Sequence, residues 1–241
     1  MPISQDRPFE IIVLGPPVSG KGTQAKLLAK TFDIPHVSTG QILHSIKDDI
    51  ANPLAQKVAE FINAGSLVPD ELVNQLVADR IKKDDCVNGF ILDGYPRTLS
   101  QAQAIDTAVK LDYVFLVNVS DETIIERISG RRVCKNGHVW HIKYSPPKTE
   151  TVCDDCGEPL FLRDDDKSAV VKNRLEIFHQ NMAPIIEFYE RAGILSRIDG
   201  EKHIEEVFQQ FVRHMIYDLR NKVNRSSGGS PSGTATIWTY G

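Results

Sequence analysis

The segment Gly15-Pro16-Pro17-Val18-Ser19-Gly20-Lys21-Gly22-Thr23 constrains the fold of this chain more than any other. An apolar run, Phe9–Leu14, precedes it, and residues 24–30, which have helical periodicity, follow it. A strand, a glycine-bounded loop and a helix in this order are typical of a loop that binds phosphate. Backbone N–H groups and the helix N-terminus attract the anion, and a lysine reaches its outer phosphates. We therefore predict a nucleotide site at this loop.

Short apolar runs alternate with segments of helical periodicity along the chain. The runs are Phe9–Leu14, residues 35–38, Gly89–Asp93, residues 113–119 and residues 194–198. This pattern predicts an α/β fold with a five-stranded parallel sheet flanked by helices. Ligands of such sheets bind beyond the carboxyl ends of the strands, so we expect the chemistry near Gly15, Ser38, Asp93 and just after Val119.

Two insertions interrupt this core. Residues 39–67 read as short helices, whereas residues 131–166 hold several Gly and Pro residues, short alternating segments and three of the four cysteines. The second insertion has too few apolar residues to fold by packing alone, and we expect a small β-rich lid. The core then comprises residues 1–38, 68–130 and 167–223.

The C-terminal part of the core reads as two helices. One spans residues 167–191, where Pro184 predicts a kink or break, and the other spans residues 203–221. Residues 224–241 are rich in Ser, Gly and Pro at their start and lack periodicity, which predicts a disordered tail.

The cysteines of the second insertion have the spacing of metal ligands. Cys153 and Cys156 are separated by two residues, so both sulfurs can face one ion, and Cys134 with His138 supplies two more ligands. We predict a structural zinc site of three cysteines and one histidine that staples the lid. His141 competes with His138 for the fourth position, although its place on an alternating strand favours His138. The alternative is a set of free thiols.

Charged residues gather where the third strand ends. Asp93 beside a phosphate loop suits a magnesium ion or its waters, and the planar guanidinium of Arg97 suits a phosphate. The alternative is a strand-capping carboxylate and a solvated arginine. Further arginines flank both ends of the second insertion, at Arg127, Arg131, Arg132, Arg163 and Arg174. Phosphoryl transfer needs such cations around the transferred group, although each one alone would also fit a solvated helix face.

Composition excludes several classes of protein. The 241 residues carry a net charge of −4 with 25% charged residues, so no basic surplus indicates a nucleic-acid partner. We find no apolar stretch long enough to span a membrane, and residues 1–8 lack the pattern of a secretory signal. We therefore expect a cytoplasmic protein without nucleic-acid or membrane partners.

Over residues 9–211 the chain closely resembles the adenylate kinases of the long-lid type. The resemblance is carried by the loop at 15–23, Ser38-Thr39-Gly40, Gly89-Phe90-Ile91-Leu92-Asp93-Gly94-Tyr95-Pro96-Arg97-Thr98, Gly130-Arg131-Arg132, Arg163 with Asp165-Asp166, and Arg174. It implies magnesium-dependent, reversible phosphoryl transfer from ATP to AMP, giving two ADP. It also implies a P-loop nucleoside monophosphate kinase core, an AMP-binding insertion, a lid and a monomer.

The resemblance further implies roles for individual residues. The loop at 15–23 binds ATP with Arg127 and Arg131, Lys21 holds its outer phosphates, and Asp93 anchors the waters of magnesium. The residues implied to bind AMP are Thr39, His44, Leu67, Val68, Gly94, Arg97, Gln101, Arg163 and Arg174. Among these, Thr39, the backbone near 67–68 and Gln101 recognise adenine, and the arginines bind phosphate. The implied catalytic residues are Lys21, Arg97, Arg131, Arg163 and Arg174.

Three positions depart from the pattern of the family. Val18 replaces a glycine, and a β-branched residue there predicts backbone strain or a shifted loop. Gln41 replaces an aspartate and His44 an arginine. The imidazole of His44 is a weaker, pH-dependent cation, so we predict weaker AMP binding, above all at pH values where the imidazole is neutral.

Two other functions remain open at this point. The chain could be a kinase for another nucleoside monophosphate, although Thr39 favours AMP on the family pattern. It could also be a nucleotide-binding protein with little turnover, in which Val18 and His44 have impaired the chemistry. The full set of arginines makes the second function the minority interpretation.

Overall fold

A five-stranded parallel sheet forms the centre of the computed structural model, which describes residues 9–163, 166 and 168–226. Its strands are β1 (Phe9–Leu14), β2 (His36–Ser38), β3 (Gly89–Asp93), β4 (Tyr113–Asn118) and β7 (Leu195–Asp199), in the order β2-β3-β1-β4-β7. All neighbouring pairs are parallel. The predicted fold class is confirmed, and the carboxyl ends of the strands meet along one edge.

Eight α-helices occur in the described part of the chain. They are α1 (Lys21–Phe32), α2 (Thr39–Asp48), α3 (Ala55–Ala64), α4 (Asp70–Ile81), α5 (Leu99–Ala108), α6 (Asp121–Gly130), α7 (Ser168–Arg191) and α8 (Ile204–Ser226). Helix α8 continues five residues beyond the predicted end at residue 221 and includes the first three residues of the predicted tail. The rest of that tail, residues 227–241, lies outside the described residues. None of the helices described is both long and apolar enough to cross a membrane.

The two faces of the sheet bury separate apolar clusters. In β1 the side chains of Ile12 and Leu14 pack with residues of α4, α5 and α7, whereas Ile11 and Val13 pack with residues of α1 and α8. Side chains alternate between the faces because a strand has a two-residue repeat. Each fully buried aliphatic side chain contributes about 1.5–3 kcal/mol, so β1 is fixed from both sides. The loop that follows β1 therefore starts from a rigid base.

The sequence predicts a kink or a break at Pro184; the helix α7 is continuous through this residue, so the break is the wrong alternative. A proline within a helix removes one backbone hydrogen bond. The residues on either side of it in the sequence, Met182 and Ile185, are buried in the core cluster. This tertiary packing stabilises both halves of α7 and outweighs the local preference of proline.

The lid segment is β-rich, as predicted. Strand β5 (Arg131–Val133) pairs antiparallel with β6 (Val139–His141), and an isolated bridge joins Val133 to Phe161. Further bridges join Thr149 to Val152 and Val152 to Pro159. The segment follows α6 directly and leads back to α7, so both of its ends are attached to helices that pack near the sheet.

Candidate active site

The loop between β1 and α1 is tightly folded. Gly15 has φ +151°, and a Cβ atom there would lie 2.9 Å from both the Ser19 hydroxyl and the Val117 carbonyl oxygen. A side chain is therefore excluded at this position. Gly20 forms the N-cap of α1 in the left-handed conformation, with φ 89°, and turns the first backbone N–H groups of the helix towards the loop. These groups are the ones that bind an anion at a helix N-terminus.

Lys21 is a buried cation at the start of α1. Its Nζ donates to the Pro16 carbonyl oxygen at 3.0 Å. Burial, with a smaller contribution from nearby cations, lowers the pKa of Lys21 from 10.5 to about 8, while the charge of Asp93 opposes this lowering. The cations are Arg97, Arg174 and Arg131. A concentration of positive charge of this kind favours a polyanionic ligand.

Asp93 ends β3 beside this lysine. Its Oδ2 lies 3.2 Å from Nε2 of His36, whereas its buried Oδ1 has no hydrogen-bond partner among the residues that the structure describes. Burial opposes ionisation, but the His36 hydrogen bond and the charges of Lys21, His36 and Arg97 together lower the pKa of Asp93. The carboxylate is therefore ionised at neutral pH. An ionised oxygen without a protein partner fits a magnesium ion or one of its waters.

Gly22 stands where a hydroxyl residue commonly follows the lysine of such loops. A Cβ atom at Gly22 would lie 3.1 Å from Oδ2 of Asp93. A larger residue would therefore press against the carboxylate. Thr23, one position later, is exposed. This close approach explains the glycine that the sequence shows at position 22.

Acidic and backbone oxygens position the arginines around the cleft. Asp166 accepts from Arg131 Nε at 2.7 Å and from its Nη2, and Arg174 Nη1 lies 3.8 Å from the same carboxylate. Asp165, the neighbouring acid of the motif, lies outside the described residues. Arg127 donates to the Ser19 carbonyl oxygen at 3.2 Å and to that of Gly200 at 2.8 Å. These contacts fix three guanidinium groups in the lining of one cleft.

Arg97 and Thr39 meet at Gly94. Arg97 Nε donates to the Gly94 carbonyl oxygen at 2.7 Å, and the Thr39 hydroxyl donates to the same oxygen at 2.8 Å. Gly94 has φ +78°, and a Cβ atom there would lie 3.0 Å from the Thr39 hydroxyl and 3.2 Å from Arg97 Nη2. Only glycine therefore lets these two side chains approach one another.

Contacts also bridge the helical insertion and the lid. Gln41 Nε2 donates to the Gly137 carbonyl oxygen at 3.4 Å, and Nη2 of Arg163 contacts Nε2 of His44. The two departures at Gln41 and His44 thus lie where the two insertions touch. His44 faces an arginine of the lid, a contact that the sequence did not reveal.

One cleft of about 1630 Å³ joins these elements. Its lining includes the loop residues Val18, Ser19 and Lys21, as well as Asp93 and the arginines. The same cleft is also lined by Thr39, His44, Leu67, Val68 and Gln101. A site for one small ligand occupies roughly 300–1,000 Å³, so this cleft has room for two.

The side chains of Cys134, His138, Cys153 and Cys156 converge in the lid, with their ligand atoms all within 4.8 Å of one another. His138 Nδ1 lies 3.5, 3.4 and 3.3 Å from the sulfurs of Cys134, Cys153 and Cys156, in that order. Zinc bonds of about 2.0–2.3 Å at tetrahedral angles place ligand atoms roughly 3.5–3.8 Å apart. The cluster therefore fits a zinc ion.

His138 rather than His141 completes this cluster. The Nδ1 atom of His141 accepts from the backbone N–H groups of Lys143 and Tyr144 at 3.0 and 3.1 Å. Trp140, from the same strand as His141, donates its indole N–H to Cys153 Sγ at 3.4 Å. Burial opposes ionisation of Cys153, but the Trp140 contact and nearby backbone N–H groups lower its pKa to about 6. The thiolate is the form that binds zinc.

Comparison with known proteins agrees with this geometry. Residues 13–194 match the family described as Adenylate kinase. The chain is 48% identical to an adenylate kinase of Lachnospira eligens over 212 residues, which cover 85% of this chain and 99% of that protein. It is 44% identical to one of Caldanaerobacter subterraneus subsp. tengcongensis over 223 residues, 90% of this chain and 100% of the relative. The chain belongs to the adenylate kinase family.

Membership of the adenylate kinase family confirms the predicted enzyme class, a nucleoside monophosphate kinase. The residues that carried the resemblance come together from four strand ends. The loop follows β1, Thr39 follows β2, Gly94 and Arg97 follow β3, and the helix with Arg127 follows β4. All of them line the same cleft.

Val18 adopts a backbone conformation that is unusual for a β-branched residue. Its φ is 60°, in the left-handed region, which confirms the predicted backbone strain. The isopropyl group packs against a cluster formed by Ile124, Ile128, Val171 and Leu175 of α6 and α7. This packing offsets the strain. Val18 therefore joins the phosphate loop to the two helices that flank the lid.

Three residues of this site were given no role from the sequence. They are His36 beside Asp93, Asp166 between the arginines, and Asp70, which contacts Gln101. His36 is the first residue of β2, so the rule that ligands bind at the carboxyl ends of strands did not indicate it. Asp70 is an ordinary acidic residue in the first turn of a helix, and Asp166 carried no assigned role within its motif.

Proposed function

We propose that this chain catalyses the magnesium-dependent, reversible transfer of the terminal phosphoryl group of ATP to AMP, which gives two ADP. The observation that carries the proposal is the cleft in which the phosphate loop, Asp93 and the arginines face residues of a second nucleotide site. The relatives that match the chain are themselves adenylate kinases.

On the ATP side, we assign residues 15–23 to the phosphates. The charge of Lys21 neutralises the outer phosphates. In return, the negative phosphates offset the repulsion between Lys21 and the nearby arginines. Arg127 and Arg131, at the root of the lid, contact ATP. The backbone contacts of Arg127 and the Asp166 contact of Arg131 support this role, because they fix both guanidinium groups before the ligand arrives.

On the acceptor side, adenine lies against Thr39, the backbone of Leu67 and Val68, and Gln101. The AMP phosphate lies near Gly94, where Arg97 and Arg174 bind it and the imidazole of His44 faces it. Arg131, Arg163 and Arg174 then surround the transferred group, whose charge spreads over several oxygens in the transition state. The catalytic set is Lys21, Arg97, Arg131, Arg163 and Arg174.

Asp93 would hold magnesium through water. The unpartnered Oδ1 and the lowered pKa support this assignment. When bound, the ion neutralises charge on the phosphates and helps to align them. The protein's part is to keep Asp93 ionised and oriented, which His36 does from the adjacent strand.

The four residues Cys134, His138, Cys153 and Cys156 would hold a structural zinc ion. Four protein ligands leave no open position, so the role is to staple the lid and not to activate water. The lid, residues 131–166, and the insertion, residues 39–67, act as two closing parts around a core of residues 1–38, 68–130 and 167–223. Their contacts at Gln41 and His44 support a closed arrangement that excludes water. We further propose a cytoplasmic monomer.

The acceptor assay tests this function. Coupled ADP production is measured with ATP and each of AMP, GMP, CMP and UMP, with and without magnesium. We expect turnover with AMP that requires magnesium and exceeds that with the other acceptors by at least tenfold. Higher turnover with GMP, CMP or UMP than with AMP would show that this other monophosphate is the substrate. Tight ATP binding without turnover, restored by Val18→Gly with His44→Arg, would instead indicate a nucleotide-binding protein.

A further inference from the structure

Asp70 links the start of α4 to the start of α5. Its Oδ1 accepts from Nε2 of Gln101 at 2.7 Å, and its Oδ2 accepts from the Thr98 hydroxyl at 2.6 Å. Thr98 is the N-cap of α5 and accepts from the Gln101 backbone N–H. Asp70 also follows Val68 by only two residues, and Val68 lines the cleft. The carboxylate therefore joins two segments that border the proposed acceptor site.

The amide of Gln101 is held in one orientation by one hydrogen-bond acceptor and one hydrogen-bond donor. An ionised carboxylate can only accept hydrogen bonds, so Asp70 takes an amide N–H. The backbone N–H of Arg97 can only donate, and it donates to Oε1 of Gln101 at 2.7 Å. A half-turn of the amide would place oxygen against the carboxylate and NH₂ against the N–H. Gln101 is 1% exposed, so water cannot compensate for such mismatches.

This orientation leaves one amide N–H and one lone pair of the oxygen for a ligand, because an amide offers two donors and two acceptor positions. Adenine presents an N6 donor beside the N1 acceptor, so a fixed amide can pair with both. Hypoxanthine and guanine present the opposite pattern, an O6 acceptor beside an N1 donor. A site that leaves polar groups unpaired with the wrong base discriminates strongly against it.

We infer that Asp70 is a positioning residue that fixes the Gln101 amide in the orientation that selects adenine over 6-oxopurines in the acceptor nucleotide. This inference rests on the proposed role of Gln101 in binding the acceptor base. Asp70 acts through Gln101 and does not itself touch the nucleotide.

The test compares AMP with IMP, which differ at the relevant edge of the base and share the ribose and phosphate. For Asp70→Ala we expect the ratio of kcat/KM for AMP to that for IMP to fall roughly five- to tenfold, mainly through KM, as for the loss of about one oriented hydrogen bond. Asp70→Asn retains an acceptor oxygen and should restore most of the ratio. Glu71→Ala removes an exposed acid from the same helical turn and should leave the ratio unchanged.

A purely structural role of Asp70 would lower activity with both nucleotides equally, and an unchanged ratio in a folded Asp70→Ala variant would overturn the inference. If that variant unfolds, Asp70→Ser serves in its place. The serine hydroxyl is bonded directly to Cβ and does not extend far enough to contact the Gln101 amide, whereas the asparagine oxygen does, so the serine variant no longer fixes the amide. The same fall in the ratio is expected, and an unchanged ratio again contradicts the inference.

Gln101→Ala separates this inference from the proposed function. If Gln101 binds the base, Gln101→Ala lowers the ratio of kcat/KM for AMP to that for IMP. Adding Asp70→Ala to this variant then causes little further loss, because both residues act through one amide. An unchanged ratio in Gln101→Ala would refute the role of Gln101 itself. A lowered ratio in Gln101→Ala together with a normal ratio in Asp70→Ala would refute only the role of Asp70.

Discussion

His36 Nε2 lies 3.2 Å from Asp93 Oδ2, and both side chains are almost completely buried, with 11% and 10% exposed. The pair joins the first residue of β2 to the last residue of the adjacent strand β3. A hydrogen bond from His36 satisfies one oxygen of Asp93 and leaves the other for a ligand. The histidine thereby helps to keep ionised the carboxylate to which we assign magnesium.

His36→Ala should destabilise the fold by about 1–3 kcal/mol, because it leaves a buried carboxylate oxygen without its partner. His36 lowers the folded-state pKa of Asp93, so its contribution to stability is present at neutral pH and is lost as pH falls. The acid limb of kcat/KM should therefore move to higher pH in His36→Ala. Urea denaturation and pH profiles check this, with His36→Gln as the variant that retains a donor. Unaltered stability would show that the pair is dispensable.

ATP affinity should fall as pH rises through the pKa of Lys21, which is about 8 in the free protein. Phosphates favour the charged lysine, so above this pH binding requires uptake of a proton. We expect the Kd for ATP without magnesium to rise about tenfold between pH 7 and pH 9. Calorimetry measures this change. The arginine of Lys21→Arg stays charged over this range. Any change in the Kd for ATP that this variant still shows therefore reports the ionisation of ATP itself. Equal pH dependence in both proteins would contradict the prediction.

Substitutions at Val18 should separate backbone strain from packing. The left-handed conformation costs roughly 1–2 kcal/mol for a residue with a Cβ atom. Val18→Gly removes that cost but also removes the packing on Ile124 and Leu175. Val18→Ala keeps most of the strain and loses most of the packing, so we expect it to be the less stable of the two variants. Urea denaturation of the three proteins gives the order, and an alanine variant more stable than the glycine variant would contradict this explanation.

Purified protein should contain about one equivalent of zinc, since four ligands converge on one point. Cys153→Ala should lose the metal and lower the melting temperature of the lid. Cys86→Ser changes a cysteine that is not part of the cluster and should keep the metal. Elemental analysis and calorimetry provide the measurements. Metal-free wild-type protein with the same melting behaviour as Cys153→Ala would exclude the zinc site.

The sequence predicted the elements of the fold well because their signals are local. The runs Phe9–Leu14 and Gly89–Asp93 matched β1 and β3 at both ends, since buried parallel strands are continuous apolar runs. For helix α7 the sequence predicts a kink or a break at Pro184, because proline removes a backbone hydrogen bond, yet the helix does not break there. Packing of Met182 and Ile185 accounts for this. Helix α8 extended further than its periodicity indicated.

The amino-acid sequence by itself determined the phosphate loop, the alternation of strands and helices, and the Cys/His set of the lid. Each of these depends on residues that are close together in the chain or carry distinctive chemistry. Only the tertiary structure decided which groups meet. Asp166 with Arg131, Gln101 with Asp70, and Arg163 with His44 are separated by 35, 31 and 119 residues. Such pairs leave no periodic signal in a sequence, because the topology of the sheet, and not the spacing of the residues, brings them together.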